Sequence, residues 1–379
     1  MRTNVLSGTK KNQINFLTST HSDLEEQRSL AVIASDVQAP NRDRKVFSEL
    51  QEIVRAENRL PFDLTEQERF YVRNHGDKDV AEYLTYRYKF FLASTKKVAF
   101  DFPPYLLIEP VSACNLRCPM CFQVDRTFTR KPFMGVMKMD LFHSVVDQAA
   151  VEGCYAITLA SRGEPMMHPK IGEMVQYITD KKSFYDIKLN TNATLLTDEK
   201  CHQLLSSGLT VLVFSIDHYD RQKYESIRVN AKYDEVRRNI DNILEIRSKH
   251  YPDSKCEFRV SGVRVDPDID EEKFAAHWGT GVSSVTLADT VRRWDTYKNA
   301  LHPENASVCS FLFDRMYVWF DGKCNPCDED YKSELSYGDA TQQPLKEIWN
   351  GPKLARLRAL HFAGRRGEIN PCDRCGLCF

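Results

Sequence analysis

The clearest pattern in the chain is a series of short apolar runs between residues 106 and 288, which alternate with stretches of helical period. The runs read LLIEP at 106–110, AITLA at 156–160, IKLNT at 187–191, VLVFSID at 211–217, FRVSGVRV at 258–265 and SVTLA at 284–288. About six strand–helix units in succession predict an α/β fold with a parallel sheet, closed or partly closed as a barrel. In such barrels the functional side chains lie at the carboxyl ends of the strands.

The residues before this repeat divide into two parts. Residues 1 to about 45 are polar and have no sustained period, which is typical of a loosely ordered arm. From about residue 45 to 97 the pattern is helical, with Thr65 and Glu68 at the spacing of a capping box. Apolar residues recur there at helical intervals at Val80, Leu84, Tyr88 and Phe91. We expect a helical layer that covers the main domain, with a substrate lid or partner surface as the alternative.

The residues after about Pro303 no longer follow the repeat. The run RMYVWFDGKCNP predicts a hairpin that turns at Asp321 and Gly322, and LKEIWNGPKLARLRALHFAG predicts two short helices broken at Gly351 and Pro352. We therefore expect three regions: a polar arm and helical extension (1–100), the barrel (101–302) and a small cysteine-rich domain (303–379).

Composition narrows the class of protein. The net charge of −1 over 379 residues gives no general electrostatic basis for binding nucleic acid. The first residues lack the apolar core of a secretory signal, and no apolar run approaches the roughly 18 residues of a membrane span. We expect a cytoplasmic protein. The 12 cysteines are the unusual feature, because closely spaced thiols in a reducing compartment are more often metal ligands than disulfide partners.

A first group of cysteines follows the first predicted strand. Cys114, Cys118 and Cys121 lie on one short loop, separated by three and two residues. Three thiolates at this spacing can converge on one centre and leave a fourth position open. Zinc with an outside fourth ligand fits this arrangement, and so does a [4Fe–4S] cluster with one iron free of protein ligands.

This loop, after the first strand of a repeated β/α chain, resembles the radical S-adenosylmethionine (SAM) superfamily. The resemblance implies a partial (β/α)6 TIM-like barrel in which Cys114, Cys118 and Cys121 hold a [4Fe–4S] cluster. In that family the open iron binds SAM, and an electron from a donor such as flavodoxin or ferredoxin leads to its cleavage. The resulting 5′-deoxyadenosyl radical removes hydrogen from a C–H bond. Met120 has the position, usually aromatic, that packs on the adenine.

The segment after the second strand extends the resemblance. Ser161–Pro165 is similar to the Gly-Gly-Glu-Pro segment of the family, which holds the methionine amino group mainly through backbone carbonyls. The resemblance therefore implies a cofactor-binding role for Arg162, Gly163 and Glu164. Arg162 stands where the family pattern has its first Gly, which is a departure from that pattern.

Polar residues also follow the next strands. Asn190, Asn192, Ser215 and Asp217 look like the positions that contact ribose and the methionine carboxylate or face substrate, although each alone is also typical of a turn or helix cap. Gly262, within the fifth strand, indicates either a close approach to adenine or a bulge. His168 and His218 lie near strand ends, where a turn histidine is commoner than a catalytic base.

A second group of cysteines lies in the last region: Cys309, Cys324, Cys327, Cys372, Cys375 and Cys378. The region resembles the auxiliary-cluster domain of radical SAM enzymes in its short "twitch" form, rather than the longer "SPASM" form. Two fully ligated clusters need eight thiolates, so six thiols indicate a single auxiliary [4Fe–4S] cluster. A structural zinc site is the alternative.

The twitch layout implies four ligands, which are Cys309, Cys327, Cys372 and Cys375. Cys324 and Cys378 are then spare thiols close to the cluster. The remaining cysteines, Cys154, Cys201 and Cys256, are isolated and predict ordinary core packing.

Two reactions suit the predicted centres. Oxidation of a carbinol to a ketone, with an electron passed to the auxiliary cluster, would make the protein a dehydrogenase, as in the inosamine dehydrogenase of this superfamily. Return of a hydrogen atom from a cysteine thiol would make it an epimerase, with Cys324 as the candidate donor. By analogy we favour oxidation of a small, carbohydrate-like or other polar substrate.

Two further alternatives stay open. Peptide modification is less favoured, because residues 1–100 do not predict the strand-rich recognition domain that such maturases often carry. A metal-stabilised binding protein with two zinc sites is the non-enzyme alternative.

Overall fold

In the described residues of the amino-terminal region there are two strands and four helices. The computed structural model describes residues 3–5, 13–17, 22–35, 37, 42–289, 294–302 and 306–376. The elements are β1 (Thr3–Val5), β2 (Gln13–Leu17), α1 (Ser22–Ala34), α2 (Arg44–Glu57), α3 (Glu66–Asn74) and α4 (Asp77–Lys96). The expectation of a loose arm over residues 1–45 was therefore wrong for α1, which packs on the three helices that follow it. Thr65 and Glu68 form the predicted capping box at the start of α3.

Six parallel strands form the centre of the molecule, in chain order across one sheet. They are β3 (Tyr105–Ile108), β4 (Ala156–Leu159), β5 (Asp186–Thr191), β6 (Val211–Ser215), β7 (Glu257–Arg264) and β8 (Ser284–Asp289). Helices follow or separate these strands as predicted: α5 (Met139–Val151), α6 (Ile171–Asp180), α7 (Asp198–Ser206), α8 (Arg221–Ile227), α9 (Tyr233–His250) and α10 (Glu271–Trp278). The predicted strand–helix repeat is confirmed.

The carboxyl-terminal region extends this sheet. It consists of α11 (Phe311–Asp314), β9 (Arg315–Val318), β10 (Lys323–Asn325), β11 (Gly338–Asp339), α12 (Leu345–Trp349) and α13 (Pro352–Phe362). The predicted hairpin is formed by β9 and β10, and β9 also pairs in parallel with β3. At the opposite edge β2 pairs antiparallel with β8. The cysteine-rich region is therefore joined to the barrel through a continuous sheet.

Alternation along the strands separates two faces. Leu189, Phe214 and Val260 belong to the large core between the strands and the outer helices. Their neighbours on the opposite face are polar and half-buried: Asn190, Ser215 and Ser261. Because successive side chains of a strand point to opposite faces, these polar residues face the interior of the partial barrel.

The helical layer covers the amino-terminal ends of the strands. The Tyr155 hydroxyl, just before β4, donates to the Asp43 carboxylate at 2.7 Å. Gln67 of α3 donates to Asp186 at the start of β5 at 2.8 Å. The layer therefore lies at the end opposite to the first cysteine loop. This position supports the prediction of a covering layer and contradicts the lid alternative. Among the described residues, no helix is long and apolar enough to cross a membrane.

Candidate functional site

The first cysteine loop lies at the carboxyl end of β3. Leu116 anchors it in the core with 1% exposure, and the Arg117 amide donates to the Val229 carbonyl at 3.0 Å. The Cys121 amide donates to the Cys118 carbonyl at 3.0 Å, which closes a turn between the second and third cysteine. The predicted position of the loop at the functional edge of the barrel is thus observed.

The three thiols share one electrostatic environment. Burial raises the pKa of Cys114 to about 12 and that of Cys118 to about 11, and the nearby thiols raise both pKa values further. The Arg228 guanidinium acts in the opposite direction on the pKa of Cys118. Because metal ligation requires thiolates, binding of a metal centre here would release protons. The donor set therefore fits a centre bound through sulfur.

Glu164 connects the ends of two strands beneath this loop. Its backbone amide donates to the Ala113 carbonyl at 3.0 Å. Its carboxylate accepts hydrogen bonds from the Thr191 hydroxyl at 2.7 Å and the Asn192 amide at 2.8 Å. Burial raises the pKa of this carboxyl. Glu164 thus positions the segment after β4 against the end of β5, and its side chain is engaged within the protein.

Gly163 is required by the close approach of two backbone segments. A Cβ atom at this position would lie 2.2 Å from the Val111 carbonyl oxygen. Such a distance is far below any ordinary contact, so a larger residue would push the segment after β4 away from the cysteine loop. This close packing is the physical reason for the Gly-Glu-Pro sequence at this point.

Asn192 also acts on the cysteine loop. Its side-chain amide donates to the Asn115 side-chain oxygen at 2.9 Å and lies 4.0 Å from the Cys114 sulfur. Its own side-chain oxygen accepts from Thr194. These contacts describe a positioning residue. A direct contact between Asn192 and SAM stays a prediction.

Two buried polar atoms near the predicted SAM-binding segment have no hydrogen-bond partner among the described residues. They are the Ser161 hydroxyl oxygen and the Asn190 side-chain oxygen. Ser161 also has φ of 144°, a backbone conformation that side-chain-bearing residues rarely adopt. Unpaired polar atoms at the mouth of a polar barrel fit a polar cofactor. Ser215 and the partly buried Met120 lie at the same end and stay predicted contacts.

Asp217 is engaged in a buried ion pair. Its carboxylate lies 2.5 Å from the Arg228 guanidinium, and it accepts a hydrogen bond from the Val263 amide at 2.9 Å. Because Asp217 is 0% exposed, these contacts favour a structural role over direct substrate contact. Arg228 gave no signal in the sequence, yet it brings a positive charge close to Cys118.

Three other sequence candidates have local explanations. A Cβ atom on Gly262 would lie 2.1 Å from the Ile216 carbonyl oxygen, so the glycine allows two neighbouring strands to approach. The His168 ring accepts from the Lys170 amide, and the His218 ring accepts from the Asp220 amide. Both histidines are buried turn residues, as the commoner alternative predicted.

Arg162 does not point into the barrel mouth as a SAM ligand would. Its guanidinium forms a buried bidentate pair with Glu109, with both nitrogen–oxygen distances at 2.6 Å. A third nitrogen donates to the Tyr331 carbonyl in the carboxyl-terminal region at 2.8 Å. A cofactor contact through the backbone of Arg162 stays a prediction, whereas its side chain joins the two regions.

Four thiols of the second cysteine group line one cavity. Its lining includes all four predicted ligands, Cys309, Cys327, Cys372 and Cys375. They come from three separate segments of the chain. Burial raises the pKa of Cys327, and the other three thiols raise it further. Among the described residues, no three His, Cys, Asp or Glu side chains come close enough to hold a single metal ion.

His361 adds a polar atom to this cavity. The Cys309 amide donates to its Nδ1 at 3.3 Å, while its Nε2 has no hydrogen-bond partner among the described residues. Burial, and then the charge of Arg366, lower the pKa of His361 to about 4, so the ring is neutral at pH 7. The cavity therefore presents four sulfurs beside a neutral imidazole, a lining that fits an iron–sulfur cluster.

The two spare thiols have different outcomes. Cys324 is 0% exposed and belongs to the large core with Tyr337 and Ala340. It does not line the cavity of the second group. This packing does not support Cys324 as the hydrogen-atom donor, and that role stays a prediction. Cys378 lies outside the described residues. Cys154, Cys201 and Cys256 are buried, as predicted.

Several contact residues were missed by sequence reasoning. Glu109 and Gln123 hold the segment after β4, while His361 and Arg366 line the second cavity. Glu109 ends the first apolar run, and a carboxylate in an otherwise apolar strand could have drawn attention to it. The other three residues carry no local signal.

Comparison with family models supports both regions. Residues 108–277 match the model of the Radical SAM superfamily. Residues 309–376 match the SPASM model, which describes an iron-sulfur cluster-binding domain.

Curated relatives match only part of the chain. The chain is 37% identical over 114 residues to the tungsten-containing aldehyde ferredoxin oxidoreductase cofactor-modifying protein of Pyrococcus furiosus, covering 30% of each chain. It is 30% identical over 142 residues to the GTP 3′,8-cyclase of Desulforamulus reducens, covering 38% of this chain and 43% of the relative. The matches thus span less than half of either relative.

Solved structures share the fold at low identity. BtrN in complex with AdoMet and 2-DOIA is 17% identical with a TM-score of 0.51, covering 74% of this chain and 94% of BtrN. SuiB of Streptococcus suis bound to the precursor peptide SuiA is 15% identical with a TM-score of 0.52, covering 92% and 86%. anSMEcpe with bound AdoMet is 16% identical with a TM-score of 0.52, covering 68% and 83%. This similarity shows the fold.

Proposed function

Because the chain belongs to the radical SAM superfamily and carries a SPASM iron–sulfur cluster-binding domain, we propose that it oxidises a carbinol of a small, carbohydrate-like or other polar substrate. Membership of this family implies that SAM and iron–sulfur clusters are its cofactors. Cys114, Cys118 and Cys121 would hold the SAM-binding [4Fe–4S] cluster. One auxiliary cluster would occupy the second cavity. When bound, these groups supply an electron, a 5′-deoxyadenosyl radical that abstracts hydrogen, and a one-electron acceptor.

The observation that carries the proposal is the convergence of four thiols on one cavity. This cavity, called the closed site below, is lined by Cys309, Cys327, Cys372 and Cys375. The site of Cys114, Cys118 and Cys121, called the open site, has three thiols. Four sulfur ligands complete the coordination of a [4Fe–4S] cluster, so such a centre offers no iron to SAM. The cavity belongs to a region whose strands continue the sheet of the barrel. A fully ligated cluster there would be suited to accept an electron from the substrate.

The residues of the barrel mouth have three tasks in this proposal. Glu164 and Asn192 hold the cysteine loop in register with the ends of β4 and β5. Arg228 places a positive charge beside Cys118, which favours its thiolate form. The inward polar side chains, including Asn190 and Ser215, supply hydrogen-bonding groups that a polyhydroxylated molecule could use.

Epimerisation is supported less well. The donor in such a reaction must reach the barrel interior, but the Cys324 thiol is packed in the core. Peptide modification is retained as the second candidate, because the structure of SuiB with its precursor peptide covers most of both chains. The BtrN complex, with its small ligand, covers 94% of that protein and favours the first candidate. An external electron donor such as flavodoxin or ferredoxin stays part of the proposal.

Anaerobic reconstitution provides the first test. We expect about eight irons per chain and cleavage of SAM in the presence of dithionite. Stoichiometric zinc without SAM cleavage would contradict the enzyme hypothesis.

Deuterated probes test the reaction class. Aminocyclitols with deuterium at their carbinol carbons should transfer it to 5′-deoxyadenosine, with one ketone formed per SAM consumed. Solvent deuterium at an inverted carbon would instead support epimerisation. Transfer from a synthetic peptide and from none of the carbinols would favour peptide modification.

A further inference from the structure

Arg162 occupies a position where the family segment has glycine, and its side chain leaves that segment altogether. It is 3% exposed and reaches Glu109 of the barrel and Tyr331 of the carboxyl-terminal region. We propose that Arg162 is a positioning residue that fixes the loop 328–337 against the segment 161–165, and so sets the geometry between the two cysteine sites. This inference rests on the proposed function.

The pair with Glu109 fixes the guanidinium plane. The Nε and Nη2 atoms of Arg162 donate to the two carboxylate oxygens, both at 2.6 Å. Glu109 also accepts from the Phe320 amide at 3.3 Å, in the turn between β9 and β10. Because a bidentate pair fixes both distance and plane, the Glu109–Arg162 unit holds the hairpin turn as well as the barrel strand.

The remaining face and edge of the guanidinium contact the carboxyl-terminal region. Its central carbon lies 4.2 Å from the ring centre of Trp319, which is fully buried. Its Nη1 donates to the Tyr331 carbonyl at 2.8 Å. Stacking and hydrogen bonding from one planar group are within the reach of arginine and not of lysine.

The backbone of Arg162 faces the first cysteine loop. Its carbonyl accepts from the Gln123 side chain at 2.5 Å, and the same amide group donates to the Ser112 carbonyl at 2.7 Å. Gln123 is two residues beyond Cys121. One residue therefore connects the loop of the open site with the hairpin and loop of the closed site.

The loop that Arg162 holds is also attached from its other side. The Tyr331 ring stacks on Phe122 with centres 5.1 Å apart, and its hydroxyl donates to Asp125 at 2.9 Å. Lys332 lies 2.8 Å from the same Asp125 carboxylate. Since the loop begins directly after Cys327, a shift of Tyr331 would be transmitted to a thiol of the second cavity.

Hydrogen–deuterium exchange of the full chain, reconstituted with about eight irons, tests this role. We expect Arg162→Gly to accelerate exchange about tenfold in residues 328–337 and 161–165, with a smaller increase for Arg162→Lys and Glu109→Gln. Arg247→Gly is the matched control, because Arg247 lies over Phe258 and donates to the Cys256 carbonyl, and neither contact belongs to the measured segments. Exchange in Arg162→Gly no faster than in this control would overturn the proposal.

The reconstituted protein gives a second readout. With about eight irons retained, Arg162→Gly should weaken the spin–spin interaction between the two reduced clusters, and Arg162→Lys should restore part of it. An unchanged interaction would overturn the proposal. If Arg162→Gly does not fold, Arg162→Lys and Glu109→Gln carry both measurements. Failure of the parent protein to cleave SAM would contradict the proposed function, while the exchange comparison, which does not depend on SAM cleavage, would still test Arg162.

Discussion

The two cysteine sites differ in how the chain assembles them. The first has three thiols within residues 114–121, on one loop after one strand. The second draws four thiols from residues 309, 327 and 372–375, which only the folded domain brings to one cavity. Local spacing is sufficient to define the first site, whereas the second depends on tertiary structure.

The surroundings of the two sites differ in the same way. Polar side chains from neighbouring strand ends, such as Glu164 and Asn192, hold the open loop through hydrogen bonds. The closed cavity is lined by Phe311, Leu335 and His361 as well as its thiols. A hydrogen-bonded edge can admit a polar cofactor, whereas a cavity lined by four thiols suits a centre that stays with the protein.

The largest effect is expected from a substitution that disables the open site and leaves the closed site intact. Cys118→Ser should reduce SAM cleavage to background, because Cys118 is one of three thiols available to the open site. About four irons per chain should remain in the closed site after reconstitution. Iron analysis and detection of 5′-deoxyadenosine check both parts. Cys154→Ala, in a buried thiol away from both sites, is the control. Normal SAM cleavage by Cys118→Ser would remove this loop from the mechanism.

Loss of the closed site should affect folding as well as chemistry. Cys327→Ser should leave about four irons and uncoupled SAM cleavage, while ketone formation is lost. Because a bound metal centre contributes its binding free energy to folding, residues 306–376 should also become more sensitive to protease. Limited proteolysis with mass spectrometry checks this, with Cys256→Ala as the control. Equal protease sensitivity of the variant and the parent would show that this region folds without its cluster.

Much of the fold could be predicted because its elements carry local signals. The strands β3 to β8 are apolar runs bounded by polar residues, and the capping box at Thr65 marks the start of α3. Helix α1 was missed because its sequence, SDLEEQRSLAVIA, has a weak apolar period. The pairing of β9 with β3 was also missed, since no pattern in either strand identifies its partner across about 200 residues.

The sites show the same limit of sequence reasoning. Spacing identified both groups of cysteines, and the four ligands that the twitch resemblance implies for the second group line one cavity, whereas Cys324 of that group does not. The predicted roles differ from the observed contacts where a residue binds a partner that is distant in sequence. Asp217 pairs with Arg228, and Arg162 pairs with Glu109, which lies 53 residues earlier. Only the folded chain determines whether a polar residue at a strand end faces a cofactor or another residue.

The pH dependence of stability tests the loop that follows Cys327 in the closed site. Burial raises the pKa of Asp330 to about 6, although backbone amides of Leu335 and Glu334 donate to its carboxylate. The folded state therefore binds this proton more tightly than the unfolded state. The contribution of this group to stability is present below about pH 4 and is lost as the pH rises to about 6.

Asp330→Asn should flatten this dependence, because the amide does not titrate. Between pH 4 and pH 7 the free energy of unfolding of the parent should fall by about 2–3 kcal/mol more than that of the variant. Urea denaturation of the metal-free chain measures this difference. The variant should also lose some stability at every pH, since an amide accepts fewer of the existing hydrogen bonds. Parallel stability profiles for the variant and the parent would contradict the assignment of this titration to Asp330.

The smallest effect is expected at Cys324, which distinguishes proximity in sequence from proximity in space. Only two residues separate it from Cys327, yet it is packed in the core while Cys327 lines the cavity. Cys324→Ala should cost about 1 kcal/mol of stability through lost packing and leave iron content, SAM cleavage and product unchanged. Thermal unfolding and product analysis check this. Loss of an inverted product with retention of oxidation would instead identify Cys324 as a hydrogen-atom donor that reaches the substrate in another conformation.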